Sequence, residues 1–202
     1  MVSEYSVVIP TMMRPVKLRT CLRHIDRIYE PPVTVVIVDD GESHPKQQSI
    51  YVEFADRFNL DIIELPYNSG LSKKRNRGIE VADTQYILLI DDDHYVPSNS
   101  CEFIDILENN EDLGGIAPYF EEFGEVYCNA ADYRIKNGWA IKSVFDERDP
   151  ESTETGKIMY RYDHIANSAM YDRRVFEEYS WDENYIIEAE DTDFYLKHQK
   201  IG

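Results

Sequence analysis

The stretch YILLIDDDHYVP, residues 86–97, sets five apolar or aromatic residues against three aspartates. Residues 86–90 form a short continuous apolar run, the pattern of a strand covered on both faces. Asp91, Asp92 and Asp93 then bring mutually repelling carboxylates to the end of that strand. Burying any of them unpaired is costly, so they need a polar rim or a positive partner. Two readings stand: an acidic turn, or oxygen ligands for a divalent ion. In extended backbone Asp91 and Asp93 share one side, with Asp92 opposite.

The same grammar precedes this strand three times. SVVIP (6–10) is an apolar run closed by proline, followed by helical spacing over 16–28. TVVIVDDG (34–41) is a β-branched run ending in two aspartates and a glycine, and 45–58 reads as a helix with Pro45 in its first turn. DIIEL (61–65) is a third strand, with a third helix over 70–81. Alternating strands and helices with continuous apolar strands predict an α/β fold, a mostly parallel sheet with helices on both faces. Ligands of such sheets bind beyond the carboxyl ends of the strands. Polar residues gather there: Thr11 and Arg14, then Asp39 and Asp40, then Asn68 and Gly70, then Asp91 to Asp93.

The second half is less regular. A helix is expected over 98–109, a short strand within 113–120, and hairpins with a mobile loop over 121–165, most exposed at 151–157. Residues 164–171 read as a strand, 173–178 as a short helix, and AEDTDFYLKHQKIG (189–202) as a helix acidic at its start and basic at its end.

Composition narrows the function. At 202 residues, 43% hydrophobic and 12% aromatic, the chain suits one globular domain. Its net charge of −18, from 39 acidic against 21 basic residues, excludes a nucleic-acid-binding surface. A salt-rich cytoplasm and ordinary solubility both account for that acidity. No apolar run approaches the ~20 residues of a membrane span, and MVSEYSVVIP lacks the basic start and long apolar segment of a signal peptide. Cys21, Cys101 and Cys128, odd in number and widely spaced, fit neither a disulfide framework nor a zinc site, and the expectation is a reduced, cytoplasmic protein.

Four segments in order, SVVIPTMMRP, VVIVDDGES, NSGLSKKRNRGIEVADTQYILLIDDDHYVP and WDENYIIEAEDTDFYLKHQKIG, resemble a family 2 glycosyltransferase of the GT-A fold across nearly the whole chain. The resemblance implies a metal-dependent, inverting transfer of a sugar from a nucleotide diphosphate-sugar, a UDP-sugar favoured, to a hydroxyl on a glycan, lipid-linked or protein acceptor. It implies one catalytic domain over 1–202, with 1–97 the nucleotide half and 98–202 the acceptor and catalytic-base half, a C-terminal continuation being left open. The location implied is cytoplasmic, free or peripheral at the inner membrane face.

The resemblance also assigns residues. Asp91 and Asp93 match the DxD pair, Asp93 as direct ligand of Mn²⁺ or Mg²⁺ and Asp91 orienting ribose and metal, with Asp92 alongside at the substrate. Asp39 and Asp40 match the acidic pair of which one binds base or ribose. Pro10, Thr11 and, more loosely, Arg14 match the nucleotide-contacting loop. Arg75 and Asn76 sit in an Ala-Arg-Asn motif whose alanine is here Lys74. Asp191, beside Glu190, matches the catalytic base. The chemistry is coherent: a divalent ion offsets charge on the departing diphosphate, and a separate carboxylate takes the acceptor's proton.

Blander readings accompany each assignment. Glu188, Glu190, Asp191 and Asp193 suit any helix N-terminus, and SKKRNRG (72–78) suits a solvated helix face, although a nearby diphosphate would rationalise Lys73, Lys74 and Arg75. His94 reads as an exposed loop residue or a ligand, and His164 as a strand-edge residue or a group facing the diphosphate or metal. Trp139, Tyr160, Tyr162 and Trp181 are core aromatics or sugar-stacking platforms, Trp181 being the most site-like. Competing functions are a non-catalytic nucleotide-sugar-binding domain and a nucleotidylyltransferase. The latter wants a glycine-rich loop after the first strand, where this chain has PTMMRP; a phosphohydrolase wants its DxD there.

Overall fold

Strands β1 (Tyr5–Thr11), β2 (Thr34–Asp39), β3 (Leu60–Glu64) and β4 (Tyr86–Leu89) are joined by helices α1 (Pro15–Ile25), α2 (Pro45–Phe54) and α3 (Leu71–Val81). All pairings among these strands are parallel, and Thr11 lies opposite Asp39 at the carboxyl ends of β1 and β2. The computed structural model describes residues 4–28, 32–42, 45–96, 100–137, 139–143, 148–153 and 156–199. Pro97, Ser98 and residues 200–202, which entered the sequence expectations, lie outside them.

Successive residues of one strand serve opposite cores, which is why the apolar runs do not alternate. Val7, Ile9, Val35, Ile37 and Leu88 pack with Leu18, Leu22, Ile50 and Phe54 of α1 and α2. Val8, Val36, Val38, Ile87 and Leu89 pack with Ile79 of α3 and with Trp181 and Phe194. Each such side chain contributes about 1.5–3 kcal/mol by leaving water. α3 lies so close to β1 that a Cβ on Gly78 would stand 2.3 Å from Val8 Cγ1.

The helices end earlier than periodicity suggested. α1 stops at Ile25 rather than 28, where tight turns take over (Ile28 N–H donates to Ile25 O, 3.1 Å). α2 stops at Phe54 rather than 58, with Arg57 N–H donating to Phe54 O at 2.9 Å. Apolar spacing persists through such turns because Phe58 still packs on the core.

Beyond β4 come α4 (Ser100–Glu108), β5 (Gly115–Ile116), and three two-stranded pieces. These are β6 (Phe120–Glu122) with β7 (Glu125–Tyr127), β8 (Asp132–Lys136) with β9 (Trp139–Ser143), and β10 (Glu151–Ser152) with β11 (Ile158–Met159). Then follow β12 (Ala169–Asp172), α5 (Val175–Glu178) and α6 (Glu190–Gln199). β12 enters the main sheet antiparallel between β4 and β5, giving the order β3-β2-β1-β4-β12-β5. The strand expected over 164–171 is thus confined to its second half; His164 makes only a bridge to Ala131. Among the described residues no helix is long and apolar enough to cross a membrane.

Candidate active site

The carboxyl ends of β1, β2 and β4 carry two linked charge clusters. Asp40 is wholly buried; its Oδ1 accepts from Lys74 Nζ (2.7 Å) and its Oδ2 from the N–H of Gly70 (3.1 Å). Asp39, also buried, accepts from Gly41 N–H (2.9 Å) and the Tyr51 hydroxyl (2.6 Å), and burial followed by that bond raises the Tyr51 pKa. Lys74 also donates to Thr11 O (3.3 Å), while the Thr11 hydroxyl donates to Asp92 Oδ2 (2.6 Å). Thr11 therefore joins the acidic pair of β2 to the acidic run of β4.

The three aspartates do not alternate as extended backbone would have them. Asp92 and Asp93 lie in a turn, with His94 N–H donating to Asp91 O at 3.1 Å, so each carboxylate takes its own direction. Asp92 is buried against Thr11 and Arg14 Nη1 (2.8 Å). Asp93, about one-third exposed, meets Arg14 Nη2 and Lys17 Nζ (2.7 Å). Burial raises the Asp92 pKa despite Thr11 and Arg14; at Asp93 burial is outweighed by Lys17 and Arg14, and the pKa falls. Asp91 is half-buried, and its N–H donates to Ser168 Oγ (3.4 Å). Arg14, matched to a nucleotide loop, is thus the cross-brace of Asp92 and Asp93.

A divalent ion fits these residues in one form only. Among the described residues no three metal-binding side chains converge, which disfavours an all-protein cage. Hard oxygen donors from Asp91 and Asp93 do suit Mg²⁺ or Mn²⁺ held by one or two carboxylates, with substrate phosphates completing the shell.

The second acidic centre lies at the start of α6. Asp191 Oδ1 accepts from Arg75 Nη1 (2.6 Å) and Trp181 Nε1 (3.3 Å), and Oδ2 accepts from Asn167 Nδ2 (2.7 Å). Its side chain keeps 19% exposure, against 1% for Arg75. Three donors fix the carboxylate's orientation and leave about one of its four acceptor positions without an N–H donor among the described residues. Glu190, 3.4 Å from the same guanidinium nitrogen, has its pKa raised by burial and then by Asp191. Burial alone would lower the Arg75 pKa, but Asp191, Asp91 and Glu190 outweigh it and the pKa is raised. Arg75 Nε and Nη2 and Glu190 Oε2 are buried without a hydrogen-bond partner among the described residues, and such groups mark where water or a ligand completes a site.

Trp181 is not an open platform. Its ring is 2% exposed, stacked on Phe194 at 4.2 Å with Arg75 Cζ 5.3 Å from its centroid, and it meets the site through Nε1. The loop before α6 is pinned to α3: Asn76 Nδ2 donates to Trp181 O (2.8 Å), Trp181 N–H donates to Asn76 Oδ1 (3.1 Å), and Leu71 N–H donates to Ile186 O (2.9 Å). Lys74 and Arg75 are buried in carboxylate pairs, so Lys73 alone of the three expected cations is exposed.

His164 is buried, stacked on Tyr195 at 4.4 Å with Nδ1 2.8 Å from the Tyr133 hydroxyl, and burial pushes its pKa down to about 4. His94 is half-buried against Ser168 and Phe120. Tyr160 and Tyr162 line a separate cavity; the Trp139 side chain lies outside the described residues. Pro10 is a buried strand residue paired with Val38. Asn167, Lys17 and Tyr51 were not anticipated, because each touches its partner across a fold contact that no local motif announces.

Comparison with known proteins agrees with this architecture. The family model described as Glycosyl transferase family 2 matches residues 6–180. Mouse beta-1,4 N-acetylgalactosaminyltransferase 2 is 31% identical over 137 residues, covering 63% of this chain and 23% of the mouse protein. The uncharacterised glycosyltransferase YwdF of Bacillus subtilis (strain 168) is 26% identical over 206 residues, covering 98% of this chain and 68% of its own. The crystal structure of S. aureus TarS 1-349 in complex with UDP superposes with a TM-score of 0.62 at 19% identity, over 96% of this chain and 54% of TarS 1-349. The complex of the same protein with UDP-GlcNAc gives 0.64 at 17% identity, over 96% and 52%. The chain therefore shares the GT-A fold while spanning 23% of the mouse enzyme and about half of TarS 1-349. Glu190 and Asp191 fall beyond the matched segment. With that segment running from the start of β1 to the residue before Trp181, the chain belongs to glycosyl transferase family 2.

Proposed function

We propose that this chain transfers a sugar from a nucleotide diphosphate-sugar to a hydroxyl acceptor in one inverting displacement. The observation that carries the reading is Asp191, an oriented and partly exposed carboxylate held by Arg75, Trp181 and Asn167 with an acceptor position to spare. The acceptor O–H gives its proton to Asp191, its oxygen bonds to the anomeric carbon, and the nucleoside diphosphate departs with the electrons of the broken C–O bond. Arg75 and Asn167 orient the base, and buried Glu190, its pKa raised, shares the guanidinium. Asp91 and Asp93 would hold Mn²⁺ or Mg²⁺, which when bound offsets the charge of the diphosphate. Thr11, Asp39, Asp40 and Arg14 shape the nucleotide side; residues 1–97 form the donor half and 98–202 the acceptor half. A UDP-sugar is the favoured donor, in keeping with the UDP and UDP-GlcNAc complexes of TarS. We place the protein in the cytoplasm, free or at the inner membrane face, where Cys21, Cys101 and Cys128 stay unpaired.

Isothermal titration with UDP, GDP and dTDP, each with and without Mn²⁺, tests this. The expected result is UDP binding that requires Mn²⁺ and weakens more than tenfold in Asp93→Ala. Asp191→Asn should bind UDP normally yet transfer no sugar. Absence of binding by all three nucleotides, with or without metal, overturns the reading.

A further inference from the structure

Away from these carboxylates, a cavity of about 290 Å³ opens between α4, β5 and the β10–β11 hairpin. Phe103 and Ile106 of α4, Ile116 of β5, and Ile158 and Met159 of β11 are among its lining. The volume is at the small end of the roughly 300–1,000 Å³ typical of ligand clefts. That suits a hydrocarbon segment and is too little for an oligosaccharide.

Two cations stand among the lining residues, and both are already matched. Arg161 donates to Glu151 (2.8 Å) and Asp112 (2.5 Å), and Lys157 pairs with Glu102. The cavity thus offers a largely apolar lining whose two cations are both engaged by carboxylates, which fits an uncharged chain and leaves, among the described lining residues, no unmatched cation for a phosphate or sulfate head. Its lining comes within one residue of the site described above. Ala166 lines the cavity, and the next residue, Asn167, holds Asp191 at 2.7 Å.

We propose that this cavity seats the alkyl or prenyl chain of an amphiphilic acceptor, leaving its hydroxylated head for Asp191. The proposal rests on the transferase reading and names its acceptor class: a neutral lipid or lipid-like glycoside rather than a free sugar.

Cys128 lines the cavity and is exposed, whereas Cys21 is buried, so thiol chemistry reads occupancy directly. In a Cys101→Ser background, the rate of Cys128 modification by a neutral thiol reagent is measured with n-decyl glucoside below its micellar concentration and with glucose. Decyl glucoside should slow modification at least fivefold and glucose should leave it unchanged. Ile158→Asp, at a side chain already 61% exposed and so compatible with folding, should abolish the protection, as should the cavity-filling Ala117→Phe. Unchanged rates with decyl glucoside, or protection that survives both substitutions, overturn the proposal. UDP titration of the same protein separates the two ideas. UDP binding without Cys128 protection overturns the acceptor assignment alone. Protection without binding of any nucleotide overturns the transferase reading and the acceptor role with it.

Discussion

Arg75 joins two carboxylates that lie 115 and 116 positions away in the chain. Replacing it by leucine leaves Glu190 and Asp191 without their cation at a buried site, a loss of about 3–5 kcal/mol. Urea denaturation of Arg75→Leu should show it, with Asp191→Asn far less affected because the guanidinium keeps Glu190; equal losses would mean that packing, not charge, dominates. His164 provides a second test. Its folded pKa, about 4 against an ordinary 6.5, lies below the unfolded value, so its contribution is complete above pH 6.5 and lost as pH falls towards 4. The slope is about 1.4 kcal/mol per pH unit for one proton. The groups acting on it are Lys142, which lowers the pKa, and Asp191, which raises it, with Tyr133 and Tyr195 in contact. His164→Phe should flatten stability against pH over that window; an unchanged slope sinks the assignment. At this scale the sequence was half legible. Asp191 and Arg75 stood out by motif, but their contact did not, and Asn167 sits in HIANSAMY with nothing to distinguish it from a turn residue.

Among the elements, α3 and the approach to α6 bear the tightest constraints. Alanine at position 78 would gain about 1 kcal/mol of helix propensity, yet its Cβ must displace Val8 Cγ1 and press on Val38 Cγ2, 3.1 Å away. Gly78→Ala should therefore destabilise by about 1–2 kcal/mol net of that gain. Glu188 and Ala189 adopt φ of 68° and 63°, left-handed backbone just before Glu190 and Asp191. Ala189→Gly should stabilise by about 0.5–1 kcal/mol, as relief of that strain exceeds the added chain entropy. Chemical denaturation of both variants checks the opposite signs, and a stabilised Gly78→Ala would refute the close packing. The parallel core was readable because both-face burial writes unbroken apolar runs. β12 was legible as a strand within 164–171, but its antiparallel place between β4 and β5 was not, because a strand buried on both faces carries no mark of its direction. Hairpins were expected within 121–165, but their strands are too short for a period of two to mark their bounds.

For the whole molecule, charge sets the leading expectation. With a net charge of −18, self-repulsion opposes compactness, and it is screened as the Debye length falls from about 30 Å at 0.01 M salt to about 3 Å at 1 M. The melting temperature should rise by several degrees across that range; a flat or falling profile would show that the surface ion pairs, such as Arg19–Glu53 (2.8 Å), outweigh the excess. Composition alone made this legible, whereas the cavity beside α4 required the fold. β12 pairs with β4 so that Ala169 stands opposite Leu89, which leaves Asn167 and Ser168 just beyond one strand and Asp91 just beyond the other. The interval between the two acidic centres is thus gauged by rungs of a hydrogen-bond ladder, not by the slack of a loop. A slip of two rungs would carry Asn167 about 7 Å from its place, and a slip of one would turn it to the opposite face. The sheet is the ruler against which the two acidic centres are aligned.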